Sequence, residues 1–267
     1  MWRDEAKYKN LGATSSAEQG ILTSFGMAVG KALIAVAPRP NAALPKSPEV
    51  LRLAILRTRQ YVGLAELLSF CWAAGIVVAQ LEVFPLSAKR MHAMTVRVGD
   101  RYAILLGTRL SYPAQASFIV AHELGHIAEG HLGSSAALLD VESPLELSHR
   151  DDEEDAADKY ALSLLTGFAD PRVMADTSEY IAAQVADAAV REAPRARIEP
   201  GTLALCLAFS TGNWKQSVGA LKMIYGDQPS GAVGAYVNRI AKSQLDLSNV
   251  TDRTRYIEKI LKLDAVK

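Results

Sequence analysis

His122, Glu123 and His126 form the pattern H-E-x-x-H within "SFIVAHELGHIAEGHL", Ser117 to Leu132, which holds three of the chain's five histidines. On a helix, residues four apart share a face, so both imidazoles can reach one ion. Two neutral imidazoles supply half of a tetrahedral zinc site. Glu123 follows the first histidine by one position, where a carboxylate can lie beside the attacking water as general base. Phe118, Ile119, Ala121 and Leu124 surround the polar set, as expected of a buried helix. Gly125 costs about 1 kcal/mol relative to Ala in a helix interior, so it calls for a close packing contact or clearance for a substrate.

A catalytic site needs a third protein ligand and an open position. His131 is the nearest candidate, five residues beyond His126. A metzincin would place Gly three residues after the second histidine and a third histidine six after it. Glu129 and Leu132 stand there instead, and that match fails. The second candidate is "DDEEDAADKYALSLL", whose Glu154 lies 28 residues beyond His126. Its acidic opening, Asp151 to Asp155, also suits a helix N-terminus. Glu154 and Asp158 are spaced i,i+4 on one face. Glu154 can supply the third ligand, and Asp158 can accept the outer N–H of a ligating histidine and fix its tautomer. His131 is then expected to be a bystander at the helix end.

The same H-E-x-x-H and E-x-x-x-D pair occurs in thermolysin-like enzymes, the Glu-zincins. "QASFIVAHELGHIAEGH" followed by "EEDAADKYALSLL" resembles more closely the ImmA/IrrE family of bacterial and phage metallopeptidases. Those proteins show an R-F-T-x-A-H-E-x-G-H block and then E-x-x-A-N-x-F-A-x-x-L-L. The upstream "WAAGIVV" and the segment leading into the histidine helix fit as well. The resemblance spans Leu64 to Thr166, roughly two-fifths of the chain. It implies His122, His126 and Glu154 as metal ligands and Glu123 as the catalytic base. Ala116-Ser117 replaces the usual Gln-Arg, Asp158 replaces Asn, Tyr160 replaces Phe, and "LLTG" lacks the usual Met-Pro. Asp for Asn preserves an acceptor beside the ligating histidine; the other departures leave the substrate open.

The elements that must position these residues are legible in outline. "IVVAQLEVF", Ile76 to Phe84, is short and β-branched and reads as a strand. "AMTVRV" and "RYAILLG", joined at Gly99-Asp100, read as a hairpin leading to the histidine helix. Upstream, Ser47 and Pro48 suit the start of a helix, with a second helix after Gly63. Arg52, Arg57 and Arg59 are expected on a solvated face. From Pro171 onward five segments favour helix. The expected fold is α+β: a small zincin-like core, made of a short antiparallel sheet plus the metal-binding helices, with a C-terminal helical bundle. The corresponding divisions are an apolar segment and Pro-rich linker over 1–48, a metallopeptidase domain over 49–170 and a helical region over 171–267.

Composition narrows the setting. The 267 residues suffice for a substantial core. Formal net charge is zero, so no global field attracts nucleic acid or an anionic membrane. Cys71 and Cys206 are far apart in apolar surroundings; a disulfide framework is not expected, and a reducing cytoplasm fits. "GILTSFGMAVGKALIAVAP", Gly20 to Pro38, approaches the length of a membrane span. It carries Lys31, which costs roughly 2.5–3.5 kcal/mol at a span centre, and it contains three glycines. A packed helix is expected there rather than an anchor or a signal.

These readings lead to zinc-dependent peptide hydrolysis, with Mn²⁺ or Fe²⁺ compatible with the same donors. His92, Tyr112 and His149 are candidates to stabilise the oxyanion, whereas Tyr160 is expected to pack in the core. "AILLG" either offers a strand edge to an extended substrate or sits inside a hairpin. By the resemblance, the partner is a protein such as a helix-turn-helix repressor of mobile-element or stress-response genes, with no direct nucleic-acid contact. The alternatives are a non-proteolytic metal-containing regulator and a phage- or toxin-related partner-binding protein.

Overall fold

The computed structural model describes residues 6–9, 16–85, 91–133, 135–140, 151–174, 179–249 and 251–263. The alternating segments form the expected hairpin: β3 (Ala93–Val98) pairs antiparallel with β4 (Arg101–Leu106), with Val98 opposite Arg101. Gly99 opens that two-residue turn at φ 64, a left-handed conformation that costs glycine little. β2 (Val77–Gln80) is shorter than the strand read from the sequence and runs parallel to β4. Two further short strands, β1 (Ala6–Lys9) and β5 (Ala137–Asp140), were not evident in the sequence. The sheet order is β1-β5-β3-β4-β2.

The sheet is therefore mixed, not antiparallel as expected. β1 and β5 pair in parallel, as do β2 and β4, while the three central strands are antiparallel. A strand's own residues do not state which neighbour it joins. The sequence signal is the unbroken apolar run Ile76–Ala79, and all four β2 positions are buried, the habit of strands covered on both faces.

Strand alternation sorts residues into two cores. Val78, Ala93, Ile104 and Leu106 face one side, where they meet Leu67 and Leu68 of α3 (Leu64–Ala73) and Ile119 and Val120 of α4 (Pro113–Glu129). Val77, Ala79, Met94, Val96, Ala103 and Leu105 face the other, against Leu22, Val29 and Leu33 of α1 (Ser16–Val36). The apolar segment 20–38 is thus a helix packed on the sheet, except for its last two residues. Its glycines let it approach closely: a Cβ on Gly30 would lie 2.8 Å from Val96 Cγ1, and one on Gly26 would strike Met94. Among the described residues, no helix is long and apolar enough to cross a membrane.

α2 (Pro48–Leu56) starts as expected, with Ser47 Oγ accepting from Val50 N–H at 3.2 Å. Arg57 and Arg59 are exposed, but Arg52 is not a surface residue. Its guanidinium donates to the carbonyls of Leu164 and Leu165 at 3.2 and 2.7 Å, and to that of Arg197 at 2.7 Å. Those first two carbonyls belong to the last turn of α5 (Asp152–Thr166), whose helix dipole favours a cation there. Arg52 thereby ties α2 to the helix that carries Glu154.

Each of the five segments read as helical after Pro171 contains a helix, and the helices divide in two. α6 (Ala182–Ala196), α7 (Pro200–Thr211) and α8 (Trp214–Tyr225) share a small core built on Val185, Leu205 and Leu221. α9 (Ala232–Gln244) and α10 (Asp252–Leu261) return to the sheet, where Ile257 and Ile260 join the core under α1. Asn238 of α9 serves the edge strand β2 directly. Its Oδ1 accepts from Gln80 N–H at 2.8 Å, and its Nδ2 donates to the Gln80 carbonyl at 2.9 Å and the Leu261 carbonyl at 3.0 Å. These bonds satisfy backbone groups that an edge would otherwise leave open.

Candidate metal centre

α4 begins at Pro113, after Tyr112 at the N-cap, and stops at Gly130, which adopts φ 74. α5 opens on Asp151, whose carboxylate accepts from the backbone N–H groups of Glu153 and Glu154 at 3.0 and 2.9 Å. Gly125 explains how closely the two helices pack: a Cβ there would lie 3.0 Å from the Ala157 Cα and carbonyl oxygen. The contact brings the polar faces of α4 and α5 together in the interior. His122, Glu123 and His126 are 0–1% exposed, and Glu154 and Asp158 3% and 5%.

The sequence-derived ligand set converges there. His122 Nε2 and His126 Nε2 lie 3.0 Å apart, and the two Glu154 oxygens lie 3.4 Å from His122 Nε2 and 3.4 Å from His126 Nε2. Zinc–nitrogen bonds of 2.0–2.1 Å imply a tetrahedral ligand–ligand separation of about 3.3 Å. The carboxylate thus straddles the two imidazoles, and the three side chains bring donor atoms to separations close to those that one such ion needs. His122, His126 and Glu154 are also the one cluster of three or more metal-capable side chains among the described residues.

Each histidine presents its other nitrogen to a partner. His122 Nδ1 is 2.9 Å from Asp158 Oδ1, the contact expected for Asp158. His126 Nδ1 is 2.8 Å from His131 Nδ1. His131 is therefore not the bystander anticipated: Gly130 reverses the chain so that the imidazole folds back onto α4. For His126 Nε2 to ligate a metal through its lone pair, the ring proton must sit on Nδ1, where His131 Nδ1 would accept it. Such outer partners fix both tautomer and ring orientation.

Glu123 points toward the sheet. Thr95 of β3 shares its face with Ala93, and its Oγ1 donates to Glu123 Oε2 at 2.5 Å. Glu123 Oε1 is buried without a hydrogen-bond partner. Burial raises the Glu123 pKa to about 7, against the lowering by His122 and the Thr95 hydrogen bond. At His122 burial acts downward, but Asp158 and Glu154 outweigh it and raise the pKa to about 10. At His126 burial prevails and brings it down to about 4. Glu154, although buried, is held far below the usual carboxylate range by the two imidazoles. The directions of these shifts give a protonated His122, a neutral His126 and an ionised Glu154, and a divalent ion in place of the His122 proton would be held by the same three groups. The residues fit such an ion.

The remaining candidates lie elsewhere or have other partners. Tyr112, ten residues before His122 on the helix path, is about 15 Å away along the axis and stacks on Tyr225 with ring centroids 5.9 Å apart. His92 Nδ1 pairs with Thr108 Oγ1 at 3.1 Å. Tyr160 is core, 2% exposed, with its hydroxyl donating to the Pro45 carbonyl at 3.3 Å. His149 lies outside the described residues. "AILLG" is not a free edge, because β4 sits between β3 and β2. Thr95 was missed by sequence reasoning; its one signal is a hydroxyl at an inward position of the alternating "AMTVRV". No family model matches the chain, and neither a curated protein nor a solved structure does.

Proposed function

We propose that the chain is a metal-dependent endopeptidase with a zincin-like core, similar to the ImmA/IrrE metallopeptidases. In this reading it acts in the cytoplasm and cuts a regulatory protein such as a helix-turn-helix repressor. The observation that carries the reading is the buried triangle of His122, His126 and Glu154 with the Glu123 carboxylate beside it. Zinc is the ion these donors favour, and Mn²⁺ or Fe²⁺ suit them as well. Bound there, it supplies Lewis-acid polarisation of the scissile carbonyl and acidifies the attacking water. Glu123 receives that water's proton at Oε1, the oxygen left without a partner, while Thr95 holds Oε2. The same carboxyl then returns the proton to the leaving amine. Asp158 and His131 keep the two imidazoles turned so that both Nε2 atoms converge.

The test is to incubate zinc-supplied protein with repressors encoded by neighbouring genes and look for discrete fragments by mass spectrometry. The wild type is expected to cut and Glu123→Gln to bind zinc without cutting. Absence of both bound metal and fragments would end the proposal. A second reading, a non-proteolytic metal-containing regulator, draws on the near-complete burial of all five residues. In that case Glu123→Gln leaves the regulatory activity intact.

A further inference from the structure

A cleft of about 410 Å³ adjoins the ligand cluster, walled by Phe118 of α4, Asp158 and Leu162 of α5, Phe209 of α7, and Arg172 and Met174 of the segment between α5 and α6. We propose that this cleft receives one apolar side chain, aromatic or branched aliphatic, from a substrate residue flanking the scissile bond. The inference rests on reading the chain as a peptidase and specifies which peptides it prefers.

Asp158 fixes the cleft's position relative to the chemistry. It is a wall of the cleft and the partner of His122 Nδ1, whereas the ligating nitrogen Nε2 lies across the ring. The cleft is therefore beside the ion position and not over it. That suits a neighbouring side chain, not the scissile carbonyl itself. The Phe118 ring centroid is 6.3 Å from that of His122. An extended peptide advances about 3.3 Å per residue, so the spacing between this cleft wall and the histidine is spanned by one or two residues.

The cleft's lining is apolar on its aromatic side, and its charged groups are already paired. Phe118 and Phe209 pack with centroids 5.9 Å apart, and Phe209 meets Trp214 edge-on at 4.9 Å, which fixes the aromatic wall. The lining carboxylates already have partners: Asp158 bonds His122, and Asp170 accepts from Arg172 Nε at 3.2 Å. Burial pushes the lining Cys206 thiol up to about 12, so it stays neutral. Met174, 77% exposed at the mouth, offers a flexible apolar surface to an entering side chain.

The experiment uses the zinc-loaded full chain with glycine, leucine and phenylalanine hydroxamates as binding probes and a peptide library as substrate. Leucine and phenylalanine hydroxamates are expected to bind about tenfold or more tightly than the glycine compound, in line with what apolar pockets discriminate. Leu162→Trp, which fills the cleft, should abolish that preference while zinc affinity and thermal midpoint stay close to wild type. Phe209→Ala, which opens it, should shift preference toward tryptophan hydroxamate and carries the test if Leu162→Trp does not fold. Library cuts should show apolar residues at one flanking position, and this enrichment should change with the cleft variants. Equal binding of the three probes, or a preference that neither variant alters, overturns the inference. Cleavage without any flanking preference overturns it while leaving the peptidase reading intact. A cleft-dependent probe preference without any cleavage does the reverse.

Discussion

Thr95 Oγ1 donates to Glu123 Oε2 at 2.5 Å, so a strand of the sheet holds the carboxylate that the helix motif supplies. Thr95→Val keeps the shape and removes the donor. A proton-transferring group that loses its orientation forfeits much of a contribution of typically 10²–10⁴-fold, so kcat should fall by at least about tenfold. The hydrogen bond lowers the Glu123 pKa, and without it the acidic limb of the pH–rate profile should move to higher pH. Zinc affinity should not change, because Thr95 is not in the ligand cluster. An unmoved acidic limb with reduced kcat would mean that Thr95 acts only through packing.

His131 and Asp158 make equivalent demands on different histidines. Replacing an outer partner of a metal-bound imidazole typically costs about 10–100-fold in metal affinity. His131→Ala and Asp158→Ala should each show that loss in a competitive zinc titration. His131→Asn, which restores an acceptor of similar reach, should recover part of it. If His131→Ala binds zinc like the wild type, the Nδ1–Nδ1 contact does not support the site.

The pH dependence of the metal-free protein follows from His122. Its folded-state pKa is raised from 6.5 to about 10, so the stability it contributes is full below 6.5 and is lost as pH rises through 10. Chelator-stripped protein should therefore lose thermal stability between pH 7 and 10. An ion that takes the place of the His122 proton removes this dependence, so the gain in midpoint on adding zinc should grow with pH across the same window. Calorimetry with and without zinc checks both trends, and a zinc-induced gain that shrinks with rising pH contradicts the assignment of that proton.

The parts of this site that were legible in sequence are those encoded by spacing within one helix. His122 with His126, and Glu154 with Asp158, each declare a shared face at i,i+4, whatever surrounds them. The β3–β4 hairpin was equally local, written in alternation and Gly99-Asp100. Thr95 and Glu123 meet across 28 residues, and nothing near either residue announces the other. Arg52 read as one of three surface cations because its partners are carbonyls 112 and 113 residues away. His131 fails a spacing rule for ligands, although a residue just past a helix-ending glycine is placed to fold back. The sheet's mixed direction depends on which strands meet, and four-residue strands carry little of that information.

Gly125 sits where two opposing effects can be weighed. Ala is favoured over Gly by about 1 kcal/mol inside a helix, so Gly125→Ala would stabilise α4 in isolation. In the fold, the added Cβ would lie 3.0 Å from the Ala157 Cα, the Ala157 carbonyl oxygen and the Tyr160 Cβ, two of them backbone atoms that cannot rotate away. Overpacking of this kind costs about 1–3 kcal/mol, which exceeds the propensity gain over most of its range. The strain is relieved by separating α4 from α5, and that widens the gap between the two histidines and Glu154. Gly125→Ala is therefore expected to lower the thermal midpoint and weaken zinc binding together. A variant that gained stability and kept its zinc affinity would show that the helices have room to spare, and the close packing would no longer explain why glycine stands between the ligands.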